Sequence, residues 1–249
     1  MDTEQKYLFD LQGYLILKNV VPPEVVATCN QAMDRFESMS AEDYPRPVCL
    51  GMPRTDKELY LSNILEGDEA FRPLIDLPSV LDIVAAISGS TYRLNHTYAI
   101  WRWGGGFTGL HMNGTPLIDK CQYRCHNEQI ISTLTKAVFP MRDAGPEDGC
   151  FAVIPGSHKS NFNRPWGNHP EQNPPLVPVP AEAGDCIIFT EALTHGSMVN
   201  ISGWPRRTVY FCYSMGWMPD WGDFGLRFSE HITETLAESQ REIVRLKMG

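Results

Sequence analysis

The sequence predicts a single domain, residues 1–249, with helices first, an antiparallel double-layered β core next and a packing helix last. From about residue 91, short runs rich in Tyr, Ile, Val, Phe and Trp alternate with clusters of Gly, Pro and Asn. This pattern is typical of a mainly β sandwich or barrel. Apolar residues recur at helical spacing before this stretch and again over residues 229–247, as in helices that pack on a core.

The N-terminal third contains the first predicted helices. A short helical pattern leads into GYLILKNVV, which alternates as a strand does. The segment PPEVVATCNQAMDRFESM has proline at a helix entry, and LPSVLDIVAAISG is closed by Gly89. After the β core, Ile232, Leu236, Ile243 and Leu246 form one stripe of a continuous final helix.

Composition and charge narrow the possible partners. Apolar residues make up 43% of the chain, as in globular proteins. The net charge of −9 argues against nucleic acid and anionic membranes as the main partner. No signal-peptide pattern and no apolar stretch of membrane-spanning length is found. The seven scattered cysteines are typical of reduced thiols, so we expect a cytoplasmic protein.

Polar residues that could form a site occur at three places in the strand-rich half of the sequence. His111 and Asn113, in GLHMNGTP, are two residues apart and point to the same side of an extended segment. His195 follows the apolar run DCIIF, and Arg206 begins RRTVYFCY. Ligands from separate strand ends can meet at the mouth of a β barrel. Two imidazoles with one oxygen ligand on one face suit Fe(II).

Strand alternation assigns the two neighbouring arginines to opposite faces. Arg206 and Thr208 share one face, while Arg207 points away. The planar fork of an arginine binds a carboxylate through two hydrogen bonds, so Arg206 is the candidate for an acidic ligand. Single histidines and strand-start arginines are more often structural, so spacing alone leaves a metal site and a structural role both open.

Three segments resemble the phytanoyl-CoA dioxygenase family. GCFAVIPGSHKSNF is similar to that family's Gly-Cys, apolar pair and Pro-Gly-Ser-His-Lys segment. HGSMVNISGWPRR is similar to its distal motif of His-Gly-Ser, an Asn, a short loop and Arg. YLFDLQGYLIL resembles its N-terminal strand, so the resemblance covers roughly residues 4–214.

The resemblance implies a double-stranded β-helix of the jelly-roll or cupin-like type that binds Fe(II) and 2-oxoglutarate. It implies His111 as the proximal iron ligand, His195 as the distal ligand and Asn113 at the position of the third. For His158 and Lys159 of the PGSHK segment, no ligand role follows, and we expect a structural role in a loop.

The resemblance also implies a binding site for the co-substrate. Arg206 is expected to bind the far carboxylate of 2-oxoglutarate, with Ser197 and Thr208 as candidate hydrogen-bond partners of the same carboxylate.

Position 113 departs from the family pattern, which has Asp. An asparagine offers a carbonyl oxygen but no charge, so it holds a hard dication less firmly. In halogenating relatives, a Gly or Ala at this position leaves room for a halide on iron. A nearby carboxylate, such as Asp119 or Glu128, is a third way to complete the site. These three possibilities remain open from the sequence.

The leading prediction is therefore a non-haem Fe(II), 2-oxoglutarate-dependent dioxygenase, an oxidoreductase that hydroxylates a small molecule. A halogenase with the same iron and oxo acid is the first alternative. A non-catalytic binding module on the same fold is the second. The sequence does not identify the substrate.

Overall fold

Two β sheets face each other, and the chain contributes strands to them alternately. The computed structural model describes residues 1–89, 91–112, 114, 120–220 and 228–244. The strands, in chain order, are β1 (Tyr14–Leu17), β2 (Cys49–Leu50), β3 (Glu58–Ser62), β4 (Tyr92–Arg102), β5 (Tyr123–His126), β6 (Gln129–Ser132), β7 (Leu134–Pro140), β8 (Phe151–Val153), β9 (Val177–Val179), β10 (Cys186–Thr190), β11 (His195–Ser197) and β12 (Arg206–Met215).

The order of the strands gives the topology. The larger sheet runs β1-β10-β7-β12-β4-β3-β2, and the smaller runs β11-β8-β9. An antiparallel bridge between His111 and His195 adds a further short segment to the smaller sheet. From β4 to β12 the chain therefore passes repeatedly from one sheet to the other. This alternation is a double-stranded β-helix, so the predicted mainly β jelly roll is confirmed.

The larger sheet buries both of its faces. Residues such as Trp101, Phe139 and Phe211 pack on the helical side. The residues that alternate with them, such as Val138 and Phe189, face the smaller sheet. Successive side chains of a strand point to opposite faces, so each strand contributes to both cores. Strands buried on both faces explain the long apolar runs in the sequence.

The helices are α1 (Thr3–Gln12), α2 (Pro23–Ser38), α3 (Ile64–Gly67), α4 (Pro78–Ser88), α5 (Glu230–Thr235) and α6 (Glu238–Val244). The helices α1, α2 and α4 begin where the sequence predicts them, whereas α3 and the start of α6 were not predicted. Asp2 and Gln5 form a capping box at the start of α1, and α2 and α4 each begin with proline. No helix in the described part of the chain is both long and apolar enough to cross a bilayer.

The prediction of one continuous C-terminal helix over residues 229–247 is wrong. The chain forms α5 and α6, which are separated at Leu236. Leu236 is extended and only 3% exposed, so burying its side chain takes precedence over continuing the helix. The preceding TET run contains two β-branched residues with modest helix propensity. Ile243 of α6 reaches the same core, and Leu246 lies outside the described residues.

A close backbone approach beside the two histidines occurs at Gly196 in β11. A Cβ atom at this position would lie 2.6 Å from the carbonyl oxygen of Thr108 and 3.3 Å from the Cα of Leu110. Real Cβ atoms do not come this close to backbone. Glycine is therefore required for the segment before His111 to lie against β11.

The variant Gly196→Ala is expected to lower the free energy of unfolding by about 1–3 kcal/mol, because the added methyl group overpacks a fixed backbone. Urea denaturation measures this loss. Gly104→Ala is the matched control, since the nearest atom to its added Cβ is the Cα of Gly203 at 3.6 Å, an ordinary contact. Equal losses in the two variants would contradict the steric argument.

Candidate active site

The structure brings together the two histidines that the sequence singles out. The backbone N–H of His111 donates to the carbonyl oxygen of His195 at 3.0 Å, and the reverse bond measures 3.2 Å. The ring centroids lie 4.1 Å apart. Two segments far apart in the sequence thus hold their imidazoles side by side between the sheets.

Each imidazole is oriented by a backbone carbonyl. The Nδ1 atom of His111 lies 2.9 Å from the carbonyl oxygen of Gly109, and that of His195 lies 2.7 Å from the carbonyl oxygen of Leu193. A carbonyl oxygen only accepts, so Nδ1 carries the proton in both rings. The Nε2 atoms keep their lone pairs and are the metal-binding atoms.

A buried carboxylate, which sequence analysis did not single out, faces these histidines. Glu191 is 2% exposed, and its Oε2 lies 4.0 Å from the Nε2 of His195. One ligand atom from each of His111, Glu191 and His195 lies within 4.8 Å of the others. Two imidazoles and one carboxylate form the donor set that suits non-haem Fe(II).

Of the two carboxylates suggested by the sequence, Glu128 does not belong to this cluster. Glu128 is exposed in the turn that joins β5 to β6, where its φ is +61°. Asp119 and Asn113 lie outside the described residues, so the ligand role predicted for Asn113 stays a prediction. Glu191 instead stands directly after β10, four residues before His195.

Lys136 of β7 holds Glu191 in place. Its Nζ lies 2.9 Å from both carboxylate oxygens and donates a hydrogen bond to Oε1. It also lies 5.5 Å from the ring centroid of Tyr98, a cation–π distance. Burial lowers the pKa of Lys136, but Glu191 outweighs burial and holds it above its usual value. The ammonium therefore stays charged, and Oε2 of Glu191 has no hydrogen bond among the described residues.

The electrostatic surroundings keep both imidazoles neutral. Burial lowers the pKa of His195 well below its usual value, and His111 and Lys136 lower it further. Burial also lowers the pKa of His111, although Glu191 opposes this. Neutral imidazole is the form of histidine that binds a metal, so no proton has to leave either ring at neutral pH.

The two arginines at the start of β12 face opposite ways, as strand alternation predicts. Arg207 points outward and pairs with Asp34 at 2.6 Å and Glu37 at 2.7 Å, both in α2. Arg206 points inward and is 4% exposed. Within the described residues it has no carboxylate partner, and its guanidinium donates to the hydroxyl of Tyr210 at 3.4 Å.

The two hydroxyls predicted to assist Arg206 differ in their surroundings. Thr208 shares its strand face, and the Thr208 Oγ1 is buried without a hydrogen-bond partner in the described structure. The hydroxyl of Ser197 accepts from the N–H of Thr108 at 2.8 Å and donates to the carbonyl oxygen of Met198 at 3.1 Å. Thr208 is thus open to a ligand, while the binding role of Ser197 stays a prediction.

The PGSHK segment ties the N-terminal helix to the β core. The Nε2 of His158 lies 3.1 Å from the carbonyl oxygen of Asp10 in α1. Its ring packs edge-on against Tyr123 with centroids 4.4 Å apart. Lys159 forms an ion pair with the carboxylate of Asp10. The expected structural role of this segment is confirmed. Its contacts support the fold, which explains why a segment that supplies no metal ligand is part of the resemblance.

The unpaired groups inside the barrel fit a metal ion and a dicarboxylate together. His111 and His195 present Nε2 atoms with lone pairs, and Glu191 presents a carboxylate oxygen that pairs with Lys136 but accepts no hydrogen bond among the described residues. In the same part of the chain, Arg206 has no carboxylate partner and the Thr208 hydroxyl has no hydrogen-bond partner. Buried polar groups normally have hydrogen-bond partners. Fe(II) with 2-oxoglutarate would satisfy all five.

Comparison with known sequences agrees with this reading of the site. Residues 9–208 match the family described as Phytanoyl-CoA dioxygenase (PhyH). The dioxygenase af480 of Aspergillus fumigatus is 24% identical over 226 residues, which cover 88% of this chain and 70% of that protein. The peroxisomal phytanoyl-CoA dioxygenase of Homo sapiens is 24% identical over 234 residues, covering 83% and 66%.

Solved structures share the fold. HygX from Streptomyces hygroscopicus, with nickel, 2-oxoglutarate and hygromycin B bound, has a TM-score of 0.77 and 22% identity over 89% of this chain and 90% of HygX. The α-ketoglutarate-dependent epimerase SnoN has a TM-score of 0.64 and 19% identity, with 86% and 82% covered. Fold and family match together define a non-haem-iron, 2-oxoglutarate-dependent dioxygenase. The chain belongs to the phytanoyl-CoA dioxygenase family.

The variant Lys136→Met is expected to lower the free energy of unfolding by about 3–5 kcal/mol, because it leaves the buried carboxylate of Glu191 without its counter-ion. Urea denaturation of the metal-free protein measures the loss. The double variant Lys136→Met/Glu191→Gln removes both charges and should lose less than the single variant. If the double variant loses as much stability as Lys136→Met and Glu191→Gln lose when their separate losses are added, the two charges are not coupled.

Proposed function

We propose that this protein is an oxygenase that uses Fe(II) and 2-oxoglutarate to hydroxylate a small molecule. Arg206 is the observation that carries the proposal, because it is a buried cation that faces the barrel without a carboxylate partner among the described residues. Burying an unpaired charge is costly, and an arginine fork pairs well with a carboxylate. The far carboxylate of 2-oxoglutarate supplies the missing partner.

The remaining groups of the site take complementary roles. Thr208 donates its unpartnered hydroxyl to the carboxylate held by Arg206. His111 and His195 would hold the iron through Nε2, with a third ligand to complete the set, for which Asn113 is the candidate that the sequence resemblance implies. When bound, Fe(II) and 2-oxoglutarate activate O₂, with one oxygen atom passing to the substrate and one to succinate as CO₂ leaves.

The chain's own contribution to the reaction is orientation and exclusion of water. Carbonyl oxygens fix both imidazole rings, so the metal meets ligands that are already aligned. The stacked rings of Tyr98 and Tyr210, 4.4 Å apart, line the barrel beside Arg206. Together with Phe189 they make the interior apolar around the charged groups, which strengthens electrostatic contacts to a bound oxo acid.

A groove lined by residues that adjoin the two histidine segments is the candidate substrate site. Its volume is about 330 Å³, and loop residues 154–157, 160 and 162–166 line it together with Thr194. Thr194 directly precedes His195, and Arg164 donates to the carbonyl oxygen of Leu110 at 2.8 Å, next to His111. HygX with hygromycin B and SnoN with nogalamycin RO are relatives in fold that bind small molecules. They support this substrate class.

The variant Arg206→Ala is expected to weaken 2-oxoglutarate binding by roughly 2–4 kcal/mol, because it removes two charge-assisted hydrogen bonds between the guanidinium and one carboxylate. Calorimetric titration of the Ni(II)-loaded protein measures the change. Arg207→Ala is the control, since this residue contacts α2 on the outer face. It should retain 2-oxoglutarate affinity and lose folding stability. An equal loss of affinity in both variants would show that Arg206 is not the carboxylate anchor.

Wild-type protein loaded with Fe(II) is expected to release succinate from 2-oxoglutarate and O₂ without added halide, whereas His111→Ala should release none because it loses a metal ligand. Chromatographic assay of succinate measures both. A strict requirement for chloride would favour the halogenase alternative. Absence of metal binding and of succinate in the wild type would leave a binding module.

A further inference from the structure

We propose that Glu191 supplies the anionic ligand of the metal, so that iron is held by His111, Glu191 and His195. The inference rests on the proposed function and specifies its metal centre. In the family pattern, the carboxylate stands two residues after the first histidine, where this chain has Asn113. Here the carboxylate stands four residues before the second histidine instead.

The hydrogen-bonding capacity of Glu191 is the first argument. Its Oε1 accepts from Lys136, while Oε2, which lies 2.9 Å from the same ammonium, is buried and accepts no hydrogen bond within the described residues. A buried carboxylate oxygen that accepts no hydrogen bond is unfavourable, and this one also lies 4.0 Å from the Nε2 of His195. A metal ion in the cluster would contact Oε2 and use its unfilled lone pairs.

The spacing of the three ligand atoms is the second argument. All lie within 4.8 Å of one another. Two ligands at right angles on one ion, with bonds of about 2.1 Å, lie about 3 Å apart. The side chains of His111, Glu191 and His195 therefore have to close by only one to two ångströms (an order-of-magnitude estimate from the same bond lengths) to share one ion.

The backbone between the sheets is the third argument, because it places two ligands on one short turn. Glu191 directly follows β10 of the larger sheet, and its N–H donates to the carbonyl oxygen of Leu134 at 2.9 Å. The turn closes with the N–H of Leu193 on the carbonyl oxygen of Thr190 at 3.0 Å, and β11 begins at His195. The crossover from one sheet to the other thus fixes Glu191 and His195 relative to each other.

Lys136 acts in this centre as a positioning residue. Its ammonium lies 2.9 Å from both oxygens of Glu191 and fixes the carboxylate with Oε2 4.0 Å from the Nε2 of His195. The carboxylate is the negative group of this three-residue cluster. It restores the composition of two histidines and one carboxylate that Fe(II) centres use. Position 113 is then released from supplying the charge, which accounts for a neutral asparagine there.

Calorimetric titration of Ni(II) into the metal-free full chain, without 2-oxoglutarate, tests the assignment. Glu191→Gln is expected to weaken Ni(II) binding more than tenfold, because the anionic ligand becomes a neutral amide. Asn113→Ala should stay within about threefold of wild type. Glu128→Gln is the matched control for loss of one carboxylate from an exposed turn, and it should bind as wild type does.

Two further measurements separate ligation from folding. Glu191→Gln/Lys136→Met removes both buried charges, so a folded protein with weak Ni(II) binding is expected where the single variant fails to fold. The visible absorption of bound Co(II) reports the ligand set, and it should change in the Glu191 variants but not in Asn113→Ala.

The outcomes distinguish this inference from the proposed function. Wild-type Ni(II) affinity in both Glu191 variants, combined with a loss of more than tenfold in Asn113→Ala, overturns Glu191 as the ligand and leaves the oxygenase proposal standing. Ni(II) binding that survives His111→Ala overturns the metal centre itself, and the proposed function with it.

Discussion

Two hydrogen bonds between the backbones of His111 and His195 close the smaller sheet at the place where the chemistry is assembled. They join segments that no local pattern brings together. They are possible only because Gly196 lets the backbone near Thr108 come within contact of β11. The same bridge sets the distance between the imidazoles, and carbonyl oxygens of the neighbouring residues set their rotation. The backbone therefore determines most of the geometry of the metal centre, and the identity of the side chains determines which atoms are presented there.

The buried charged residues of the scaffold and those of the candidate site differ in how completely they are paired. Arg93 pairs with Asp220 at 2.6 Å, Arg102 pairs with Glu58, and Arg207 pairs with two carboxylates of α2. Within the described residues, the inward-facing Arg206 has no carboxylate partner, and one oxygen of Glu191, although paired with Lys136, accepts no hydrogen bond. A fold that satisfies its charges elsewhere carries this local imbalance only where a ligand of matching charge completes it.

Sequence analysis predicted the architecture and much of the site because the relevant patterns are local. Alternation along β12 separates Arg206 from Arg207, and the run of short strands predicts two layers. Glu191 was missed because it lies in a turn between sheets, where no periodicity applies, and only the tertiary fold brings it to His111. One signal was available: Lys136 is a charged residue inside the strand run TLTKAVF, and a buried lysine requires an acidic partner. The break at Leu236 depends on core packing, which helix propensity does not describe.

The clamp that α2 places on Arg207 has a consequence for how the folded chain responds to its co-substrate. Two carboxylates fix the outer face of β12 to α2, while Arg206 on the inner face of the same strand faces the barrel. By linkage, an acid bound to the inner face stabilises the folded chain by an amount that grows with the logarithm of its concentration relative to its dissociation constant. Stability lost on the outer face can therefore be offset by a ligand on the inner face, so one strand couples the surface helix to the contents of the barrel.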